Sequence, residues 1–538
     1  MSENQKPSRS LAGIAGIVAV ATLISKVFGL VRQQAIAAAF GVGPVANAYT
    51  YAYIIPGFLL VLLGGINGPF HSALVSVLAK RDKSEAPRLV ETVTTLVGCI
   101  LLLVTVVLVL FAPLFIDVVA PGLIETPEGL QVRAIAIQQL RIMAPMAVMA
   151  GFIGIGFGTL SSADHYWLPA VSPLFSSVTV IGGLIILALQ LGEQISLPQY
   201  AMLGGIVLAC GTTAGAVLQW LVQLIAQWRS GLGTLRLRFD WRIPGVKEVM
   251  QVMAPATLSS GMLHINVYTD LFFASFIPAA AASLTFANLL VNTPLGIISN
   301  VILVPLLPVF SRLAAPENWP ELKQRIRQGM MLTALTMLPL SALMVTLAMP
   351  IVRVIYERQA FDRQASEMVA SVLMAYGIGM FVYLGRDVVV RVFYALGDGQ
   401  TPFRLSVFNI FLNAVLDYFL VQAFATPGLV FSTIGVNLTS MVVLLWILND
   451  KLNGLLWQEW IMPFLGLLGS SLVTGLVSWG VSWGFQQVFG TSNFLLGLLQ
   501  LSLAGIAGLA VFALLATRLN LPEVDIFVSR LRQKFSRR

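Results

Sequence analysis

Eight ionisable residues stand inside apolar stretches of this 538-residue chain: Lys26, Arg32, Arg141, Asp270, Arg386, Asp387, Arg391 and Asp417. At bilayer depth a charge costs about 2.5–3.5 kcal/mol even on the lenient insertion scale, so each needs a chemical reason. Lys26 and Arg32 are six positions apart, roughly 120° around an ideal helix. Gly29 lies between them and can host a kink that aims both cations into one cavity. Two cations on one helix suit a phosphate or pyrophosphate. The plainer alternative is that they snorkel to an interface.

Asn413 and Asp417 are i, i+4 and share one helical face. With the hydroxyl of Thr433 and the carboxylate of Asp270 they would offer hard oxygens to a small monovalent cation, Na+, or hold a proton, H+. An ion entering there would offset charge burial and couple a gradient to movement. Alternatively, each Asp caps or bonds a neighbouring helix. Asp387 and Arg391 are also i, i+4 and read as an intrahelical ion pair, leaving Arg386 to face a cavity. Arg141, one turn before Pro145, reads as an anchor at the outer end of its span.

The elements that must position these groups are membrane helices. The chain is 57% hydrophobic and only 10% charged, with mean hydropathy +0.86, far too little charge to cover a water-soluble fold. Its apolar runs of roughly 20 residues match a hydrocarbon core of about 30 Å. The short alternating segments of a transmembrane barrel are absent. An all-α polytopic membrane protein of about fourteen spans is expected, from one near Leu11 to one near Phe494, the seventh opening near Val246. The first run is too long for a signal-peptide core and reads as a span. No loop is long enough for a separate soluble domain, so the function lies within the bundle.

The net charge of +8 does not point to nucleic acid, because the cations crowd into alternate loops. Lys80, Arg81, Lys83 and Arg88 form one cluster. Arg229, Arg236, Arg238, Arg242 and Lys247 form a second, and Arg312, Lys323, Arg325 and Arg327 a third. By the positive-inside rule these loops and both termini are cytoplasmic. Val524 to Phe535 alternates apolar and basic residues and reads as an interfacial helix on the same leaflet. Cys99 and Cys210 sit far apart in apolar runs, and His71, His165 and His264 lack ligand spacing. A disulfide or a metal centre is therefore not expected. Loop carboxylates such as Glu125, Glu128, Asp362 and Glu367 have no supporting constellation, which argues against a membrane enzyme.

A faint repeat joins Leu160-Ser-Ser-Ala-Asp164 with Pro169 to Ala395-Leu-Gly-Asp398 with Pro402. The intervening even number of spans keeps the copies in one orientation, relating two six-helix lobes by an axis along the membrane normal. The expected organisation is 1–228 and 229–450 as the lobes, with 451–538 holding two further spans and the basic tail.

Longer motifs carry a family resemblance. Ser25-Lys-Val-Phe-Gly-Leu-Val-Arg32, Ala38-Ala-Phe-Gly-Val-Gly43, Gly68-Pro-Phe-His-Ser-Ala-Leu74 and Phe272-Phe-Ala-Ser-Phe-Ile277 resemble the MurJ (MviN) lipid II flippases. So do Val304-Pro-Leu-Leu-Pro308, Val354-Ile-Tyr-Glu-Arg358 with Phe361, and Arg391-Val-Phe-Tyr-Ala-Leu-Gly-Asp398 with Thr401 and Pro402. The resemblance implies the fold of the multidrug/oligosaccharidyl-lipid/polysaccharide exporter superfamily. It also implies a bacterial inner-membrane transporter, without cofactor, that turns an undecaprenyl-pyrophosphate-linked peptidoglycan precursor outward by alternating access.

Several positions depart from the family pattern. Gln33 follows Arg32 where Asp is usual, and Asn47 replaces an Asp. Leu59 to Leu63 replaces basic residues, and Asn288-Leu289 replaces Asp-Arg. The expected substrate-binding set is therefore Lys26 and Arg32, helped by Arg386, Asn47, Asn67, Asn288 and Asn292. Alternative cargoes within the superfamily are another polyprenyl- or glycolipid, or a small molecule exported against a cation gradient. Membrane lipids and the lipid-linked saccharide are the expected partners.

Overall fold

The computed structural model describes residues 11–65, 68–78, 80–81, 85–163, 165–240, 242–243, 245–262, 265–490, 493–519 and 521–524. His264, Asn67, Lys83, Asp164 and nearly all of the basic tail lie outside them. The described residues are mostly helical. The helices are α1 (Leu11–Phe40), α2 (Pro44–Gly64), α3 (Pro69–Leu78), α4 (Ala86–Leu110), α5 (Ala112–Val119), α6 (Pro127–Met143) and α7 (Met146–Ser162). There follow α8 (Trp167–Val171), α9 (Leu174–Leu191), α10 (Ala201–Arg229), α11 (Val246–Met262), α12 (Ile265–Ala274) and α13 (Ala280–Arg312). The remainder are α14 (Trp319–Thr346), α15 (Ala348–Tyr356), α16 (Arg363–Ala395), α17 (Gln400–Phe424), α18 (Thr426–Lys451), α19 (Trp457–Phe489) and α20 (Phe494–Arg518).

Eleven helical segments among the described residues are long and apolar enough to cross a membrane, or twelve if α6 and α7, bent by 42°, count as one. The expected seventh run is not one of them. Its described residues form α11 and α12, 17 and 10 residues long, on either side of residues 263–264, which lie outside the described set. The outer surface is what a bilayer requires. Leu189, Met462, Phe411 and Val488 are each more than two-thirds exposed, a pattern that water does not tolerate over large areas.

Local chemistry starts and stops the helices. Pro127 occupies the first turn of α6, and the hydroxyl of Thr126 accepts the N–H of Gly129 at 3.0 Å. Asp362 caps α16 through the N–H of Ala365 at 2.8 Å. Such caps satisfy amides that the helix itself leaves open. The two copies of the repeat end alike. His165 N–H reaches the carbonyl of Leu160 at 2.9 Å, and Asp398 N–H reaches that of Phe393 at 2.9 Å, the six-to-one bond of a Schellman turn. In the second copy Gly397 takes the left-handed backbone with φ +75°.

The chain divides into two compact units, residues 1–282 with 358–361, and residues 283–357 with 362–538. The division falls within α13. In unit 1, α2 packs on α6 and α7, α10 on α6, α7 and α9, α1 on α8 and α9, and α11 on α3. Leu62, Leu74, Leu89, Val93, Ile155 and Val249 form one of its buried clusters. Gly154 lets α7 approach α2 so closely that a Cβ there would lie 2.0 Å from the Leu63 carbonyl. In unit 2, α14 packs on α16 and α19, α18 on α16 and α17, and α19 pairs with α20. The α19–α20 pair is pinned by Gln500, whose Nε2 donates to the Ser482 carbonyl at 3.0 Å and to its hydroxyl at 2.9 Å.

Candidate functional site

On α1 the polar residues Thr22, Lys26 and Gln33 follow a helical stripe that Gly29 completes, with Arg32 beside it. Ser25 turns to α8, its hydroxyl 3.5 Å from the carbonyls of Ala170 and Val171. Lys26 is exposed. Arg32 is partly buried, and its Nε is enclosed with no hydrogen-bond partner among the described residues. No ion pair to either cation occurs among those residues. A buried guanidinium N–H without an acceptor is costly, which marks this place as one where an acceptor is expected to arrive.

Around it the polar groups are already used. Tyr49, within electrostatic reach of Arg32, bonds the hydroxyl of Thr212 at 2.9 Å and stacks on Tyr53 with ring centroids 5.4 Å apart. Asn47 is buried, and its Oδ1 accepts the N–H of Ala282 at 3.1 Å. Its carbonyl therefore caps the start of α13. Neither Asn47 nor its cap was distinguishable in sequence from a cavity amide. A second set of buried amides also went unread. Gln219 and Gln223 both donate to the Ser172 hydroxyl, at 3.2 and 2.9 Å, and so grip the junction between α8 and α9.

In unit 2, Asn288 and Asn292 are both exposed on α13, and Asn292 Nδ2 donates to Asn288 Oδ1 at 2.7 Å. Thr285, Asn288, Asn292, Gly296 and Ser299 continue at helical spacing along one face. Such a face is ill suited to acyl chains and suits water or hydroxyl-rich groups.

Arg386 is not left over. It pairs with Asp387 at 3.5 Å and its Nε donates to Ser440 at 3.3 Å. The expected pair between Asp387 and Arg391 does not form among the described residues. Arg391 Nη1 instead donates to the Leu303 carbonyl at 2.6 Å, bracing α13 between Pro294 and its next two prolines, Pro305 and Pro308. Helical spacing gave the right face for Arg391 but could not reveal a carbonyl on another helix. Arg141 lies in the last turn of α6, where a cation complements the helix dipole.

Asn413 and Asp417 are fully buried on α17 and bond one another, Nδ2 to Oδ2, at 2.6 Å. Ser432 of α18 donates to the Asn413 carbonyl at 3.4 Å, while the Thr433 hydroxyl bonds the Leu429 carbonyl of its own helix at 3.2 Å. Asp270 is on α12 in unit 1, whereas the other three belong to unit 2. Among the described residues no group of three or more His, Cys, Asp or Glu could hold a metal ion.

The motif that ends in Asp398 proves to be a clamp. Asp398 accepts the Thr401 N–H at 3.1 Å, the Thr401 hydroxyl at 2.7 Å and the Lys451 ammonium at 2.5 Å. These bonds tie the turn after α16 to the end of α18. Burial pushes the carboxyl upward, but the Lys451 and Thr401 hydrogen bonds outweigh it and hold the group down at about 2.

A family model described as lipid II flippase MurJ matches residues 36–500. A curated relative from Synechocystis sp., named probable lipid II flippase MurJ, is 60% identical over 537 residues and covers 100% of both chains. Lipid II flippase MurJ of Burkholderia cenocepacia is 28% identical over 488 residues, covering 88% of this chain and 89% of its own. Among solved structures, a lipid II flippase MurJ in an inward closed conformation superposes with TM-score 0.74 at 20% identity, covering 93% of this chain and 98% of that one. An inward-facing multidrug transporter of the MATE family follows with TM-score 0.62 at 16% identity, covering 82% and 99%. At those identities the two structures speak to the fold alone.

Proposed function

The chain belongs to the lipid II flippase MurJ family, and on that premise we propose how it moves lipid II between the two leaflets by alternating access. It is a transporter, not an enzyme. The observation that carries the mechanism is the state of the α1 cations: Lys26 exposed, and Arg32 with a buried N–H that has no acceptor among the described residues. A pyrophosphate supplies several acceptor oxygens, and charge-assisted bonds to a guanidinium are roughly twice as strong as neutral ones. Arg32 is the group that holds the phosphorylated head, and Lys26 adds a mobile point charge. In unit 2 the exposed amides of α13 present a neutral, hydroxyl-matching surface.

Fourteen spans are part of the same reading. The twelve that pass by length and apolarity, counting the bent pair once, are joined by the 30-residue α1 and by the run that holds α11 and α12. The lobes are 1–228 and 229–450, and α19–α20 with the tail make the rest. Both termini then lie with the basic loops on the cytoplasmic side of the bacterial plasma membrane. The coupling ion, Na+ or H+, belongs at the buried Asn413–Asp417 pair beside Ser432 and Thr433. A carboxylate there offers the one formal negative charge on that face of α17.

The test is transport by the full-length protein in liposomes supplied with labelled lipid II. Arg32→Ala should abolish translocation while the thermal unfolding midpoint stays within a degree or two of the parent. Undiminished flipping by a folded Arg32→Ala protein would remove the assignment.

A further inference from the structure

The loop between α10 and α11 does more than connect. α10 ends in a left-handed turn at Gly231, φ +69°, closed by the Leu232 N–H on the Gln227 carbonyl at 3.0 Å. Gly233, at φ +118°, then turns the chain against the flank of α4. Glu91, 5% exposed, secures it there. Its Oε1 accepts the N–H and hydroxyl of Thr234 at 3.0 and 2.9 Å, and its Oε2 accepts Arg238 Nε at 2.6 Å. The Arg238 N–H adds a bond to the Thr95 hydroxyl at 3.1 Å.

Thr234 and Arg238 are held against α4, while Leu235, Leu237 and Phe239 are 54%, 79% and 59% exposed. Arg238 is neutralised by Glu91. Arg236, between the two inward anchors, is exposed and has no side-chain partner among the described residues. Beside it opens a groove of about 210 Å³ between α4, α7 and this segment. Gly98, Cys99, Leu102, Val148 and Phe152 line it. At 1.5 Å per residue, Thr95 to Leu102 runs roughly 10 Å along α4. The groove is apolar along that length and polar only at the end held by Thr95 and Arg236. A Cβ at Gly98 would meet the Phe152 ring at 2.9 Å, so the glycine keeps the floor low.

We propose that this groove is a binding site for an anionic phospholipid of the leaflet on the basic-loop side. The phosphate sits on Arg236 and one acyl chain lies along Gly98, Cys99 and Leu102. A polar, cationic mouth over an apolar trough is complementary to such an amphiphile. Arg229 and Arg242, exposed and without ion pairs among the described residues, flank the same loop in sequence. The site uses none of the residues assigned above to transport.

Two native cysteines make the test internal. Cys99 lines this groove, and Cys210 lines a separate apolar one beside Ile142 and Thr213. The full-length protein in neutral detergent is alkylated with a small maleimide while phosphatidylglycerol or phosphatidylcholine of matched chains is titrated in. Labelling at each cysteine is read by peptide mass spectrometry. Phosphatidylglycerol should slow Cys99 about fivefold, the worth of one cation near an anionic surface, and leave Cys210 unchanged. Arg236→Gln should remove that protection without altering thermal stability. The proposal is overturned if phosphatidylcholine protects equally, if Cys210 is protected alike, or if Arg236→Gln keeps the protection. Protection by inorganic phosphate alone, or a Cys99 unreactive without lipid, overturns it as well.

Discussion

The side-chain carbonyl of Asn47 accepts the backbone N–H of Ala282, a bond at 3.1 Å between residues 235 positions apart. It satisfies one of the amides that the first turn of α13 leaves open. Asn47→Asp keeps the acceptor, and Asn47→Leu strands a buried N–H at a cost of about 1–3 kcal/mol. Thermal unfolding in detergent should show Leu well below the parent and Asp close to it. Equal midpoints for Asn and Leu would show that the bond contributes nothing.

Arg32→Lys separates charge from geometry. A guanidinium grips a pyrophosphate with a planar fork, and an ammonium offers a single point charge. Lipid II translocation should fall by roughly tenfold in Arg32→Lys, since hydrogen bonds to charged groups are each worth about 1.5–3 kcal/mol. Lys26→Ala should cost less, because Lys26 is exposed. A Lys26→Ala protein more impaired than Arg32→Lys would reverse the assigned roles.

Asp398 makes stability depend on pH in a defined window. Its carboxyl stands at about 2 in the folded protein against an ordinary 3.8. A lowered folded value means stabilisation that is complete above the ordinary value and lost as pH falls through the folded one. The unfolding midpoint of Asp398→Asn should therefore lie below the parent at pH 5–7, with the gap closing between pH 4 and 2. A gap independent of pH would place the effect in the turn and not in the charge.

Gly41 and Gly397 share a left-handed backbone, φ +58° and +75°, but not the same surroundings. A Cβ at Gly41 would lie 2.5 Å from the carbonyl of Ala360, and none lies near Gly397. Gly397→Ala should cost only the backbone strain, about 1–2 kcal/mol. Gly41→Ala should cost distinctly more and disturb the Ala360 N–H bond to the Ala38 carbonyl, now 3.1 Å. Equal unfolding midpoints for the two variants would show that residues 358–361 yield freely.

The sequence disclosed helices, their apolar faces and the cations of α1, because periodicity and the cost of buried charge act within a single helix. It did not disclose partners on other helices. Spacing pairs Arg391 with Asp387, yet its guanidinium meets the Leu303 carbonyl; the Ser432 hydroxyl, which the pattern does not single out, reaches the Asn413 carbonyl. Nothing in the neighbours of Glu91 announces that it holds a loop more than 140 residues later.

The amide ladder of Asn288 and Asn292 has a further consequence. Carboxamides neither gain nor lose protons across the physiological range and carry no net charge for salt to screen. Any sensitivity of transport to acidity or ionic strength must then be traced to titrating or ionic groups elsewhere, and along this face of α13 a sugar would be met on the same terms in every condition.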